Sequence, residues 1–274
     1  MPLTLMYITN KPDIAKIAED AGVDRIWIDL EQIGKEERQA GLNTVKSYHS
    51  IDDIIPVKSV LSSSELLVRL NPFFEGTKNE VENVIRNGAD AIMLPMFKTK
   101  QEVDKFVEYV NGRAKVVLLL ETKEAAESID VILQSTGIDE VHIGLNDLHL
   151  AYNKRFMFEL LIDGTVERLC KILKDKGYLY GFGGIARVGF GAIPAEYIIT
   201  EHYRLGSSMA ILSRSFCDAN IVENPFEVAD IFKKGINNIR KKEMEASQYT
   251  TTQFEFNYQI LQQKINNVAF ALNR

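Results

Sequence analysis

The sequence predicts an α/β protein, a (β/α)8 TIM barrel with additional C-terminal helices. Three observations support that reading. Eight short apolar runs bounded by turn residues lie between Leu3 and Leu212, as strands covered on both faces of a parallel sheet should read. A segment of helical pattern separates each run from the next, and strict alternation argues for a parallel sheet that closes on itself. No Gly-x-Gly-x-x-Gly follows the first strand and no Gly-Lys-Ser/Thr occurs. The runner-up, a doubly wound open sheet with fewer strands, therefore lacks its phosphate grip.

Leu3–Ile8 is the first strand, Pro12–Ala21 carries Ile14, Ile17 and Ala18 at helical spacing, and Arg25–Leu30 is the second strand. A longer helical stretch leads to the loop Ser62-Ser63-Ser64, and the strand Glu65–Leu70 stops at Asn71-Pro72. Thr77 with Glu80 reads as a capping box that opens a helix carrying Val81, Val84 and Ile85, closed by Gly88. After the strand Ala91–Leu94, Thr99 with Glu102 reads as a second capping box, ahead of Val103, Phe106, Val107 and Val110. Lys115–Leu120 is the fifth strand. Ala125, Ile129, Ile132 and Leu133 mark the next helix, and Glu140–Ile143 is the sixth strand. Thr165–Lys176 is helical, Tyr178–Gly184 is a glycine-rich strand, Pro194–Arg204 is helical, and Ser207–Leu212 is the eighth strand.

Residues 1–220 are thus assigned to the barrel and 221–274 to a helical extension. In the extension, Pro225–Ala246 puts Val228, Phe232, Ile236 and Ile239 on one face. Thr252–Leu272 spaces Phe254, Tyr258, Leu261, Ile265 and Val268 by alternating fours and threes, a heptad-like seam that needs a partner surface. That partner is either the chain's own barrel or a neighbouring subunit of a homo-oligomer.

Composition excludes several classes. The formal net charge is -6 and no Lys/Arg cluster alternates with aromatics, so no nucleic-acid partner is expected. The longest uninterrupted apolar stretch, Val116–Leu120, is far too short to cross a bilayer, and no signal peptide precedes the first strand. Cys170 and Cys217 lack metal-type spacing and read as buried thiols of a reducing compartment, which points to a cytoplasmic protein.

Ligands of such barrels bind just past the carboxyl ends of the strands. The relevant ends are Asp29-Leu30-Glu31-Gln32, Arg69-Leu70-Asn71-Pro72, Leu120-Glu121-Thr122 and Gly144-Leu145-Asn146-Asp147. A lone Asp147 would read as a turn cap. Glu121, however, stands at the same end one βα unit earlier, and neighbouring strands lie about 5 Å apart. Two carboxylates that close should share either a proton or a cation.

The stretches RIWIDLEQ, LLVRLNP, GADAIMLPM, VVLLLETKEAAESIDVIL and IDEVHIGLNDLHL together resemble, in that order and spacing, the HpcH/HpaI aldolase and citrate lyase β-subunit family. The resemblance covers most of the chain from about Asp13 to Asp147 and continues more weakly through the last strands. It implies a (β/α)8 barrel that binds Mg²⁺ or Mn²⁺ and makes or breaks carbon–carbon bonds beside a carbonyl through an enolate. It further implies that Glu121 and Asp147 are the metal ligands and that Arg69 holds the substrate's carbonyl or enolate oxygen. The chemistry agrees: a 2-oxo acid such as pyruvate can chelate a Lewis-acidic ion, and a permanently charged guanidinium can donate where negative charge develops. An ordinary salt bridge is the alternative for Arg69.

The backbone of Gly144, Leu145 and Asn146 would supply N–H groups for a substrate carboxylate. Arg187 and Arg214 each follow a late strand and could grip a phosphate or second carboxylate; surface salt bridges are the plainer account. One position departs from the pattern. Where the aldolase branch has a His after Asp-Leu-Glu, this chain has Gln32, which can orient a substrate but cannot titrate. With Gln32 at the metal site the protein should be a poor aldolase. Glu31, otherwise the ion-pair partner of Arg69, and His149, otherwise an exposed loop residue, are the remaining acid–base candidates. His142 is expected to pack or bond locally, and His49 and His202, placed on helical stretches, receive no role.

Three readings of function result: a divalent-metal-dependent lyase or aldolase acting on a 2-oxo acid, a lyase or thioester-cleaving relative acting on an acyl-CoA, and a non-catalytic metal-binding barrel that lost its acid–base residue.

Overall fold

A computed structural model of the chain describes residues 2–34, 49–218, 222 and 224–272. Eight parallel strands form a closed barrel in sequence order: β1 (Thr4–Ile8), β2 (Arg25–Asp29), β3 (Glu65–Arg69), β4 (Ala91–Leu94), β5 (Lys115–Leu120), β6 (Glu140–Ile143), β7 (Leu179–Ile185) and β8 (Met209–Leu212). β1 pairs with β8 and closes the ring. Of the helical stretch expected between β2 and β3, residues 35–48 lie outside the described residues, and Ile54–Val60 is helical.

The strand register sorts the barrel interior into layers. Arg25 and Glu65 pair across β2 and β3. Arg25, only 2% exposed, bonds Glu65 at 2.6 Å and Glu140 through both guanidinium ends at 2.7 and 2.9 Å. Burial alone would lower its pKa, but Glu140 and Glu65 outweigh that and raise it; with Lys115, which pairs Glu65, they plug the amino end of the barrel. Above them Met6, Trp27, Leu67, Ala91, Met93, Val117, Leu119 and Met209 form an apolar cluster of their own, the packed interior expected of this fold. Two residues further along the strands, the inward positions become Asp29, paired in register with Arg69, and then Glu121 and Gly144. The polar chemistry therefore starts where the apolar floor ends.

Local contacts account for the sequence features between the strands. The Ser62-Ser63-Ser64 loop delivers all its backbone N–H groups to the buried Glu19 carboxylate, which pins the helix Pro12–Asp20 to the start of β3. β7 is glycine-rich because a Cβ at Gly181 would come within 2.2 Å of the Met209 carbonyl, and its pairing with β8 shifts register between Gly181 and Gly184. Thr99 and Glu102 form the expected capping box. Thr77 and Glu80 do not: Thr77 is already inside the helix, its hydroxyl accepts from the Phe74 N–H, and Glu80 reaches back to Asn71.

The helix Pro225–Ala246 lies against Pro12–Asp20 and Ala195–Leu205, so it serves as the helix of the eighth βα unit, after β8. Val228, Phe232, Ile236 and Ile239 belong to the same core cluster as the other barrel helices, and Phe232 packs edge-on against Tyr7 at 4.8 Å. Its far end is tied to the first strand, since Glu243 accepts from the Leu3 N–H at 2.6 Å and Arg240 donates to the Leu3 carbonyl at 2.8 Å. A division at residue 220 thus falls inside the eighth unit. The last helix, Thr251–Ala271, lies on Ala195–Leu205 and Glu159–Ile162. Leu261 and Ile265 of the heptad-like seam are fully buried there. No described helix is long and apolar enough to cross a membrane.

Candidate active site

A cavity of about 800 Å³ opens at the carboxyl end of the strands, within the size range of small-molecule sites. Glu121, the residue after β5, projects into it and is only 3% exposed. One carboxylate oxygen accepts from the Met96 N–H at 3.3 Å. Met96 adopts a φ of 54°, a left-handed conformation that costs a side-chain-bearing residue energy and clusters at functional sites. The other oxygen lies against Gly144: a Cβ there would sit 2.7 Å from Glu121 Oε2. Glycine at the end of β6 is therefore a condition for Glu121 to stand where it does. Asp147 joins the same cavity from the first turn of the helix Leu145–Ala151.

Arg69 faces the carboxylates from β3. Asp29 holds its guanidinium through two bonds of 2.8 Å, Glu31 stands at 3.3 Å, and the Trp27 ring lies beneath at 5.3 Å. Burial would lower the Arg69 pKa, but Asp29, Glu31 and, further off, Glu121 raise it well above the usual value. The group is a fixed positive charge. Arg69 and Glu31 are thus both ion-pair partners and cavity-lining residues.

Among the described residues that line the cavity, Asp29, Glu31, Glu121, Asp147 and Asp218 outnumber Lys11, Arg69 and Arg214, a formal excess of two negative charges. No group of three or more His, Cys, Asp or Glu side chains poised for a metal occurs among the described residues. Glu121 and Asp147 are two carboxylates on the cavity wall that could serve as an oxygen-donor pair. Such a set fits Mg²⁺ or Mn²⁺, which take oxygen ligands, and Mg²⁺ typically leaves several octahedral positions to water and substrate.

Gly144, Leu145, Asn146 and Arg214 also line the cavity. Gln32, His149 and Arg187 do not. Gln32 is exposed. Its backbone N–H and that of Ile33 donate to Asn71 Oδ1 at 2.8 and 3.0 Å, and Glu80 fixes Asn71 in turn, so both residues are tied to the loop after β3 and neither lines the cavity. His149 Nδ1 donates to the Leu145 carbonyl of its own helix at 3.1 Å. Arg187 lies over the Phe190 ring at 4.4 Å.

One lining residue carries no signal in the sequence. His49 is not helical; it lies just ahead of the 3₁₀ turn Ile51–Asp53, is 8% exposed, and lines the cavity. Its Nδ1 accepts the Asp29 backbone N–H at 3.0 Å. No spacing rule flags it, because it reaches the strand ends by folding back from beyond β2. His142 bonds locally as expected, with Nε2 donating to the Gly183 carbonyl at 3.2 Å.

Fold and site together define a barrel with an acidic, oxygen-donor centre at its catalytic end. The sequence profile of the HpcH/HpaI aldolase/citrate lyase family matches residues 3–155, more than half of the chain, and the chain belongs to that family. It is similar to 2-keto-3-deoxy-L-rhamnonate aldolase of Salmonella gallinarum (strain 287/91 / NCTC 13346), with 26% identity over 166 residues, 49% of this chain and 56% of that protein. The match thus spans little more than half of that relative's length. The enzyme of the same name from Shigella dysenteriae serotype 1 (strain Sd197) is 24% identical over 206 residues, 63% of this chain and 71% of the relative. Among solved structures, an HpcH/HpaI aldolase from Desulfitobacterium hafniense DCB-2 superposes with a TM-score of 0.60 at 18% identity, covering 77% of this chain and 86% of that one. An HpcH/HpaI aldolase/citrate lyase family protein from Burkholderia cenocepacia J2315 gives 0.59 at 14% identity, over 77% and 88%. These two likenesses show the fold.

Proposed function

We propose that the chain is a divalent-metal-dependent carbon–carbon lyase or aldolase acting on a 2-oxo acid through a pyruvate-type enolate. The observation that carries this reading is the meeting of Glu121, Asp147 and Arg69 in one cavity at the carboxyl end of the strands. Glu121 and Asp147 would hold Mg²⁺ or Mn²⁺, which when bound supplies a Lewis acid for the substrate carbonyl. Arg69, kept charged by Asp29 and Glu31, donates to the keto oxygen, where negative charge collects as the bond beyond C3 breaks. The backbone at Gly144, Leu145 and Asn146 receives the substrate carboxylate, and Arg214 meets an anionic group at the distal end. The 2-keto-3-deoxy-L-rhamnonate aldolases among the relatives support a 2-oxo acid over an acyl-CoA. Because Gln32 stands outside the cavity, its inability to titrate does not argue for a barrel without turnover.

The test is exchange of the pyruvate methyl protons with deuterated water, followed by proton NMR, which registers enolisation without knowledge of the aldehyde partner. Exchange should require added Mg²⁺ or Mn²⁺ and vanish in Glu121→Ala. Exchange at the solvent rate with both ions would overturn the reading.

A further inference from the structure

β7 carries the glycines Gly181, Gly183 and Gly184, and packing or backbone conformation requires the first two. A Cβ at Gly181 would meet the Met209 carbonyl at 2.2 Å, and Gly183 has a φ of 53° with Leu145 Cδ1 only 2.7 Å from its Cβ position. Gly184 is under neither constraint. Its φ lies outside the left-handed region, and an added Cβ would make ordinary contacts, 3.4 Å from the Ile211 carbonyl oxygen and 3.5 Å from Ser213 Cβ. A glycine inside a strand forgoes packing and often marks a place where a ligand approaches the backbone closely.

Register shows which way this position faces. Gly181 pairs with Met209 and Gly184 with Ile211, so a bulge on β7 sets three steps against two on β8. Met209 belongs to the apolar floor inside the barrel, and Ile211 packs on that floor and lines the cavity. Residues in register on paired strands share a face. Gly184 therefore faces inward, and it too lines the cavity. Among the described lining residues, the seventh βα unit contributes three glycines, Ala186, Ala192, Ile193 and Ile198, and no polar side chain. In the ring β7 is four strands from β3 in either direction, so this open, apolar wall stands across the barrel from Arg69. The cavity of about 800 Å³ is near the upper end of small-molecule sites, far more than pyruvate needs.

We propose that Gly184 is a specificity-determining residue: the side chain it lacks leaves a slot for an alkyl chain of the substrate, so that the enzyme takes substrates longer than pyruvate and acetaldehyde. This rests on the aldolase reading. Either C3 of the 2-oxo acid or the aldehyde can carry such a chain. β7 adjoins β6, whose end receives the substrate carboxylate in that reading, and the aldehyde carbon bonds to C3, so both chains start beside the same wall.

Two ratios of kcat/KM, measured with Mn²⁺ present, read the slot. One is exchange of the C3 protons of 2-oxohexanoate over those of pyruvate, and the other is condensation of pyruvate with hexanal over acetaldehyde. Comparing each ratio between variant and wild type removes the intrinsic reactivity of the compounds. A methylene denied burial costs roughly 4-fold, so at least one ratio should fall about 4-fold in Gly184→Ala and about 10-fold or more in Gly184→Val. A fall in the first assigns the slot to the 2-oxo acid, and a fall in the second assigns it to the aldehyde. Circular dichroism checks the fold, and Gly184→Ala, which brings no contact shorter than 3.4 Å, decides the matter if the larger side chain unfolds the barrel. Ratios that stay at the wild-type value in the folded variants, including an equal loss on short and long substrates, would overturn the proposal. A wild type that exchanges no pyruvate protons would strike the aldolase reading itself and take this role with it.

Discussion

Gly144 governs how closely Glu121 can approach the end of β6, since a Cβ there would meet Oε2 at 2.7 Å and the Glu121 Cβ at 2.9 Å. Gly144→Ala removes no ligand, yet it should displace the carboxylate and weaken Mn²⁺ binding by about 10-fold or more, roughly 1.4 kcal/mol. Calorimetric titration would show it, and an unchanged affinity would detach Glu121 from the ion. Gln32→His should leave the cleavage rate within about 2-fold of wild type, since surface substitutions away from a site change little and this side chain is exposed with its backbone tied to Asn71. A large gain with a new pH dependence near the imidazole pKa of about 6.5 would return that side chain to the cavity. Glu121, Asp147 and Arg69 are legible in the sequence because each ends a strand, directly follows one, or opens the turn after it. Gln32 is not, because adjacency to Glu31 along the chain is not adjacency in space: the Asn71 side chain, itself held by Glu80, fixes the backbone at Gln32. His49 leaves no trace in any pattern, since its place depends on a tertiary return of the chain.

At the scale of elements, the alternation of strand and helix makes the barrel legible, and the departure comes after β8. The helix Pro225–Ala246 reads as an addition because the eighth strand already completes the count of barrel strands. Yet each strand of this fold requires a helix to cover its outer face, and Phe232 fills that place between Tyr7 and Phe216. Phe232→Ala should therefore cost roughly 3–5 kcal/mol, as for other fully buried aromatics. A urea titration would reveal it, and a change below about 1 kcal/mol, less than a buried aromatic should cost, would mark the helix as a loosely held appendage. The heptad-like spacing of Thr251–Ala271 is real, but its buried members face the chain's own helix Ala195–Leu205. Periodicity shows that a face needs covering and is silent about what covers it.

The molecule as a whole carries a pH dependence written into its interior. Burial lowers the pKa of His142 to about 4 and of His202 to about 3, with the Gly183 bond partly opposing the shift for His142 and the charge on His142 adding to it for His202. In the unfolded chain both titrate near about 6.5. The folded state therefore loses nothing above that value and is penalised as pH falls below it, because the unfolded chain binds protons that the folded one refuses. At about pH 5 each histidine should cost about 2 kcal/mol, so urea midpoints at about pH 7 and pH 5 should differ clearly; equal midpoints would mean that these rings are hydrated. Closure of the barrel is implied by the number of βα units, and the pairing of β1 with β8 supplies it. What no such tally could supply is the charge balance at the mouth, where five carboxylates face three cations among the described lining residues. A divalent ion at Glu121 and Asp147, as proposed, would offset that imbalance, and binding of Mn²⁺ to the metal-free protein, followed by electron paramagnetic resonance, tests it most directly. One ion per chain should bind to the wild type, and Glu121→Ala and Asp147→Ala should each abolish that binding while circular dichroism shows the barrel intact. Undiminished stoichiometric binding in both variants would contradict the account.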